Sequence, residues 1–84
     1  MDMREDEKVI KLRGIVVPAL WDERGKAIAA ALSTHKEEEY LIDQDTKGSK
    51  IIDYIQCEVE VSGVVRRNKD RKTITISTYE VIRQ

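Results

Sequence analysis

The most constraining feature of this chain is a pair of alternating segments in its second half. Cys57-Glu58-Val59-Glu60-Val61-Ser62 alternates apolar and polar residues, and Thr73-Ile74-Thr75-Ile76-Ser77-Thr78-Tyr79-Glu80-Val81-Ile82 does the same over a longer run. Successive side chains of a strand point to opposite faces, so this period marks strands with one face buried and one in water. Between them lies Arg66-Arg67-Asn68-Lys69-Asp70-Arg71-Lys72, five bases and one acid, expected to form a basic turn. Two such strands cannot bury their apolar faces alone; the rest of the chain must supply partners.

It does so with short β-rich segments. Val9 to Leu20 is dominated by β-branched residues, with Gly14 inside and Pro18 near the end, where a proline suits a loss of pairing. Trp21-Asp22-Glu23-Arg24-Gly25 reads as a turn, with Gly25 free to take a positive φ. Lys26 to Thr34 contains Ala27, Ala29, Ala30 and Ala31, which favour helix. It follows a hairpin turn, however, and Ile28, Ala30 and Leu32 recur at period two, so a strand is expected. His35-Lys36-Glu37-Glu38 turns the chain into a third strand over Glu39–Asp43. Asp45 or Thr46 can cap a short helix reaching about Ile55, with Ile51, Ile52 and Ile55 as its apolar stripe.

The order is therefore β-β-β-α-β-β, with glycines inside the first and fourth strands. Leu12-Arg13-Gly14-Ile15-Val16-Val17 echoes Val61-Ser62-Gly63-Val64-Val65-Arg66, as two bulged strands with similar needs would. A sheet this small curls; closure removes exposed edges, and one helix can plug an open end. The expected core is Leu12, Val16, Ile28, Ala30, Leu32, Tyr40, Ile42, Ile51, Ile55, Val59, Val61, Ile74, Ile76 and Val81.

Size and composition bound the function. Eighty-four residues (9.7 kDa) form one small domain, expected over 9–84 behind a frayed acidic leader, 1–8. No apolar run approaches the roughly 18 residues of a membrane span, and the acidic start lacks the apolar segment of a signal peptide, so a soluble cytoplasmic domain is expected. A single cysteine, Cys57, excludes an internal disulfide, and a single histidine, His35, removes most triads and transition-metal sites. The net charge of −1 hides a polarity: residues 1–45 carry −4 and residues 46–84 carry +3.

Strand order, the first-strand glycine, the helix between strands three and four, and the phrase Val59-Glu60-Val61-Ser62-Gly63-Val64-Val65 together resemble the oligonucleotide/oligosaccharide-binding fold (OB-fold), a five-stranded Greek-key barrel. The resemblance covers about residues 9–82. It is to the small, stand-alone bacterial OB-domains related to anticodon-binding and replication-protein modules. It implies an all-β fold and a ligand lying across strands two and three, clamped by the loops joining strands one to two and four to five. Those loops are Trp21–Gly25 and Arg66–Lys72 here. Under that resemblance Arg66, Arg67, Lys69, Arg71 and Lys72 hold phosphates, helped by Lys11, Arg13 and Arg24, while Trp21 offers an indole for base stacking.

The expectation is thus a non-catalytic module that binds single-stranded nucleic acid weakly and without sequence preference. The face between the loops also supports another reading. It lacks an aromatic platform, and it shows Glu39 and Asp43. Ile15, Val17, Ala27, Ala29, Ala31 and Leu41 would form a flat apolar patch there, suited to a protein partner or a second copy of this chain. Trp21, equally, is placed to cap the barrel mouth.

Sharper chemistry fails on inspection. Asp43-Gln44-Asp45-Thr46-Lys47-Gly48 opens like a calcium loop, but Lys47 takes a ligand position and Tyr54 stands where a bidentate glutamate belongs. Glu37, Glu38 and Glu39 are consecutive and cannot converge on one ion; His35 beside them reads as an exposed titrating group. Cys57 has no partner to activate it, and Gly14, Gly25, Gly48 and Gly63 are too scattered to cradle a phosphate. Haem-handling OB-domains attach their ligand through a histidine near the C-terminus, and this chain ends Tyr79-Glu80-Val81-Ile82-Arg83-Gln84. No cofactor, metal or membrane role is expected.

Overall fold

A computed structural model describes residues 9–44 and 49–83. Five strands appear: β1 (Val9–Trp21), β2 (Ala27–Thr34), β3 (Glu39–Ile42), β4 (Glu58–Asn68) and β5 (Arg71–Arg83). They close into a barrel in the order β1-β2-β3-β5-β4. The all-β architecture is consistent with an OB-like barrel.

The alanine-rich segment is a strand, paired from Val17↔Ala31 to Trp21↔Ala27 against β1. The long β1 serves both sides of the barrel. Its first half pairs with β4, from Val9↔Val64 to Ile15↔Glu58, and its second half with β2, from Gly14↔Thr34 onward. Gly14 sits at the crossover. A Cβ there would overlap the Ser33 carbonyl oxygen and approach its carbon at 2.9 Å. Gly63 has the same role in β4, where a Cβ would overlap the Thr75 carbonyl oxygen and lie 3.0 Å from Ile76 Cα. The β4–β5 register shifts beside it, between Ser62 and Gly63. Close approach of neighbouring backbone, which only glycine permits, is what lets these strands bend. Pro18, which lacks a backbone donor, marks the start of the β1–β2 bulge.

The barrel closes at a parallel seam. β3 joins β5 in parallel through Leu41↔Thr73 and Ile42↔Ile74, and the Asp43 amide donates to the Ile74 carbonyl at 2.8 Å. A four-residue strand suffices because only this gap remained to be bridged.

Inside lie Val16, Ala30, Leu32, Tyr40, Ile42, Ile51, Val59, Val61, Ile74 and Ile76, with Leu12, Ile55 and Val81 packed half-buried against them. Ile51 is fully buried and belongs to a one-turn 3-10 helix, Ile51–Tyr54, in the β3–β4 connection. The caps expected at Asp45 and Thr46 fall outside the described residues. The chain after this turn is tied to β1: the Gln56 amide donates to the Val16 carbonyl at 2.7 Å, and the Val16 amide to the Cys57 carbonyl at 3.1 Å. Tyr54 leans on Tyr79, ring centroids 6.0 Å apart.

Ile28 departs from the expected core and is 47% exposed. It follows the inward phase of β2, but β3 reaches β2 only at Ala31–Ser33, so no strand flanks that side of Ile28. Its carbonyl accepts instead from the Gln44 side-chain amide. Ala29 and Ala31, expected outside, are each only 4% exposed.

Candidate functional site

The β1–β2 turn is built by one side chain. Asp22 Oδ1 accepts from the Arg24 and Lys26 amides, both at 2.9 Å, while Gly25 takes φ 83° and donates to the Asp22 carbonyl. An Asx side chain here substitutes for backbone acceptors and fixes the loop. Trp21 ends β1 just before it. At 57% exposure its side chain does not cap the core, contrary to one expectation.

The basic segment 66–72 is not a loop. β4 runs on through Arg66, Arg67 and Asn68, β5 begins at Arg71, and only Lys69 and Asp70 make the turn, with Lys69 at φ 58°. Strand alternation then divides the cations between two faces. Arg66 stands opposite Thr73 and donates to Thr75 Oγ1 at 3.5 Å, whose hydroxyl in turn donates to Asp43 Oδ2 at 2.9 Å. Arg67 stands opposite Lys72. Lys72 donates to Glu38 Oε2 at 3.0 Å, so the start of β5 is pinned to the β2–β3 turn. Among the described residues, Arg67, Lys69 and Arg71 carry no salt bridge.

A groove of about 460 Å³ runs between the end of β1 and the hairpin tip. Ala19 and Leu20 form one wall; Asp70, Arg71 and Lys72 form the other. Its floor is Ala31 of β2 with Glu39 and Leu41 of β3. A second depression of about 240 Å³ continues past Leu20, Ala29 and Leu41 to Asp43, Gln44 and Thr73. The fold therefore faces the β4–β5 hairpin toward the end of β1 across strands two and three.

Lys11 and Arg13 are placed elsewhere. Lys11 lines a separate depression with Glu60, Ser62 and Glu80, and Arg13 lies 3.9 Å from Glu60. Arg24 is exposed on the β1–β2 turn.

Glu38 was legible in the sequence only as part of an acidic run. Its carboxyl is held below its ordinary range by hydrogen bonds from Lys72 and Tyr40, and by the charge of Lys72. Tyr40 donates its hydroxyl to Glu38 Oε1 at 2.9 Å. Burial, then the Glu38 hydrogen bond, pushes the Tyr40 phenol above its ordinary range. Lys72 lies 34 residues from Glu38, so no local pattern announced the pair.

Among the described residues no three His, Cys, Asp or Glu side chains are grouped to hold a metal ion, and no helix is long and apolar enough to cross a membrane. No known family profile matches this chain, and no curated protein matches it significantly.

Proposed function

We propose that this chain is a non-catalytic binding module on an OB-like barrel, related in kind to the small OB-domains of anticodon-binding and replication proteins. It holds single-stranded nucleic acid weakly and without sequence preference. The observation that carries the reading is the groove between Leu20 and Arg71. It lies over β2 and β3, where OB-like barrels take extended ligands, and Arg71 and Lys72 stand on its hairpin wall beside Asp70. Arg67, Lys69 and Arg71 supply positive charge at that hairpin, and the exposed Trp21 at the end of β1 supplies a stacking surface. A grip on about four phosphates gives a log-affinity slope of about −3 against log salt.

The test is amide chemical-shift mapping during titration with a short oligo-dT at low salt. Shifts at Ala19–Gly25 and Asn68–Lys72 that fade as salt rises bear the reading out. Shifts confined to Lys11, Glu60 and Glu80, or none at all, refute it.

A second reading, a protein-interaction or homodimerisation surface, is favoured by a specific observation. Ala31 and Leu41 floor the groove without an aromatic residue, and Leu20 and Ile15 on β1 are 56% and 40% exposed. Concentration-dependent dimerisation in light scattering, without oligonucleotide shifts, is its signature.

A further inference from the structure

A carboxylate beside the groove already occupies donors that an anionic ligand would use. Both Glu38 oxygens are engaged: Oε2 with the Lys72 ammonium at 3.0 Å, and Oε1 with the Tyr40 hydroxyl at 2.9 Å. The same ammonium lies 5.4 Å from the centroid of the Tyr40 ring. Arg67 stands across the β4–β5 ladder from Lys72. One ammonium and one phenol thus hold the acid from the turn before β3. Charge-assisted donors of this kind bind carboxylate and phosphate oxygens alike.

The placement has a consequence for binding, because Lys72 is also part of the groove wall. While Glu38 holds it, the Lys72 charge is cancelled locally and a phosphate approaching that wall meets a carboxylate as well as an ammonium. The pair is accessible, with side chains 28% and 39% exposed, so an incoming anion can reach it without opening the core.

We propose that Glu38 is a built-in competitor for the anion site: a phosphodiester entering the groove displaces its carboxylate from Lys72 and takes that ammonium. This rests on the reading of the groove as a polyanion site, and it makes Glu38 the residue that sets how weak that site is. The opposite role, in which Glu38 positions Lys72 for the ligand, predicts the opposite sign.

The experiment measures fluorescein-labelled oligo-dT binding by anisotropy from about 20 to 200 mM salt, for the intact chain and for Glu38→Gln, Glu38→Asp, Lys72→Gln and the Glu38→Gln/Lys72→Gln double variant. Glu38→Gln tightens binding about 3- to 10-fold and steepens the salt slope by about 0.7, the contribution of one further phosphate contact on a single strand. The double variant binds no more tightly than Lys72→Gln, since the gain passes through Lys72. Glu38→Asp retains the charge, guards against a loss of fold in the neutral variant, and binds as weakly as the intact chain. Oligonucleotide binding that is unchanged or weakened in Glu38→Gln overturns the competitor role and leaves the groove reading standing. An absence of binding by every variant overturns both.

Discussion

Two outer faces of the same barrel differ in shape. Over β1, β4 and β5, Lys11, Glu60, Ser62 and Glu80 mix both signs of charge, and Arg13 lies beside Glu60. Over β2 and β3 the surface is recessed, floored by Ala31, Glu39 and Leu41 and walled by Leu20 on one side and Asp70, Arg71 and Lys72 on the other. The first face is finished by water and by its own charges. The second is recessed, with Arg71 and Lys72 beside Asp70 on its hairpin side. The two faces rest on different pairing: the first on the long antiparallel β1–β4 and β4–β5 ladders, the second on the four-residue β3, which meets β2 and β5 only briefly.

The comparison fails first if the strands cannot bend. Gly14→Val places carbon against the Ser33 carbonyl at the point where β1 leaves β4 for β2. Backbone cannot retreat as a side-chain tip does. A loss of about 3 kcal/mol or more is expected, a large share of the stability of so small a domain, with Gly63→Val comparable; urea melts measure both.

Charge reversal on the groove wall separates the two functional readings. Leu20 is 56% exposed, so replacing it should leave the melting temperature within about 2 °C. With nucleic acid as ligand, Leu20→Glu weakens oligo-dT binding about 3- to 10-fold and Leu20→Arg strengthens it by a similar factor. With an apolar partner, both weaken association. Glu80→Arg on the opposite face serves as the control and changes oligonucleotide affinity less than 2-fold.

The hairpin and the turn can also be weighed against each other. Arg71→Gln combined with Lys69→Gln removes two charges from the cationic rim and reduces the salt slope by about 1.4. Asp22→Ala, by contrast, releases the two amides that Asp22 Oδ1 holds and costs about 1 kcal/mol of stability without changing that slope.

The smallest effect is the pH dependence of the Glu38 contact. Its folded pKa lies below the ordinary value of 4.5, so the folded state binds a proton there less readily than the unfolded chain. Stability from this group is therefore complete above about pH 4.5 and is lost as pH falls through the folded value. Glu38→Gln removes that acid-limb dependence, measurable as a flatter melting temperature between pH 5 and about pH 3.

Much of the barrel could be read along the chain. Alternation is a local property, and burial followed it at Val59, Val61, Ile74 and Ile76. Gly25 took its positive φ, and Gly14 and Gly63 marked the bends, whereas β1 pairs through Pro18 and runs on to Trp21. The site was less legible. The run 66–72 looked like a turn because it is charged and rich in turn-forming types, yet β4 and β5 extend through it and divide Arg66 from Arg67. Ile28 has the right phase and the wrong surroundings, since inward direction buries a residue only where a neighbouring strand is long enough to cover it.

What the amino-acid order determined alone is therefore the set of strands, their turns and the places where they bend, because those depend on neighbours one to four residues apart. Tertiary structure decided the parallel β3–β5 seam, the groove between Leu20 and Arg71, and the meeting of Glu38 with Lys72. Each of these needs the barrel to close, bringing distant segments within a few ångströms, and no local pattern encodes which distant partner will arrive there.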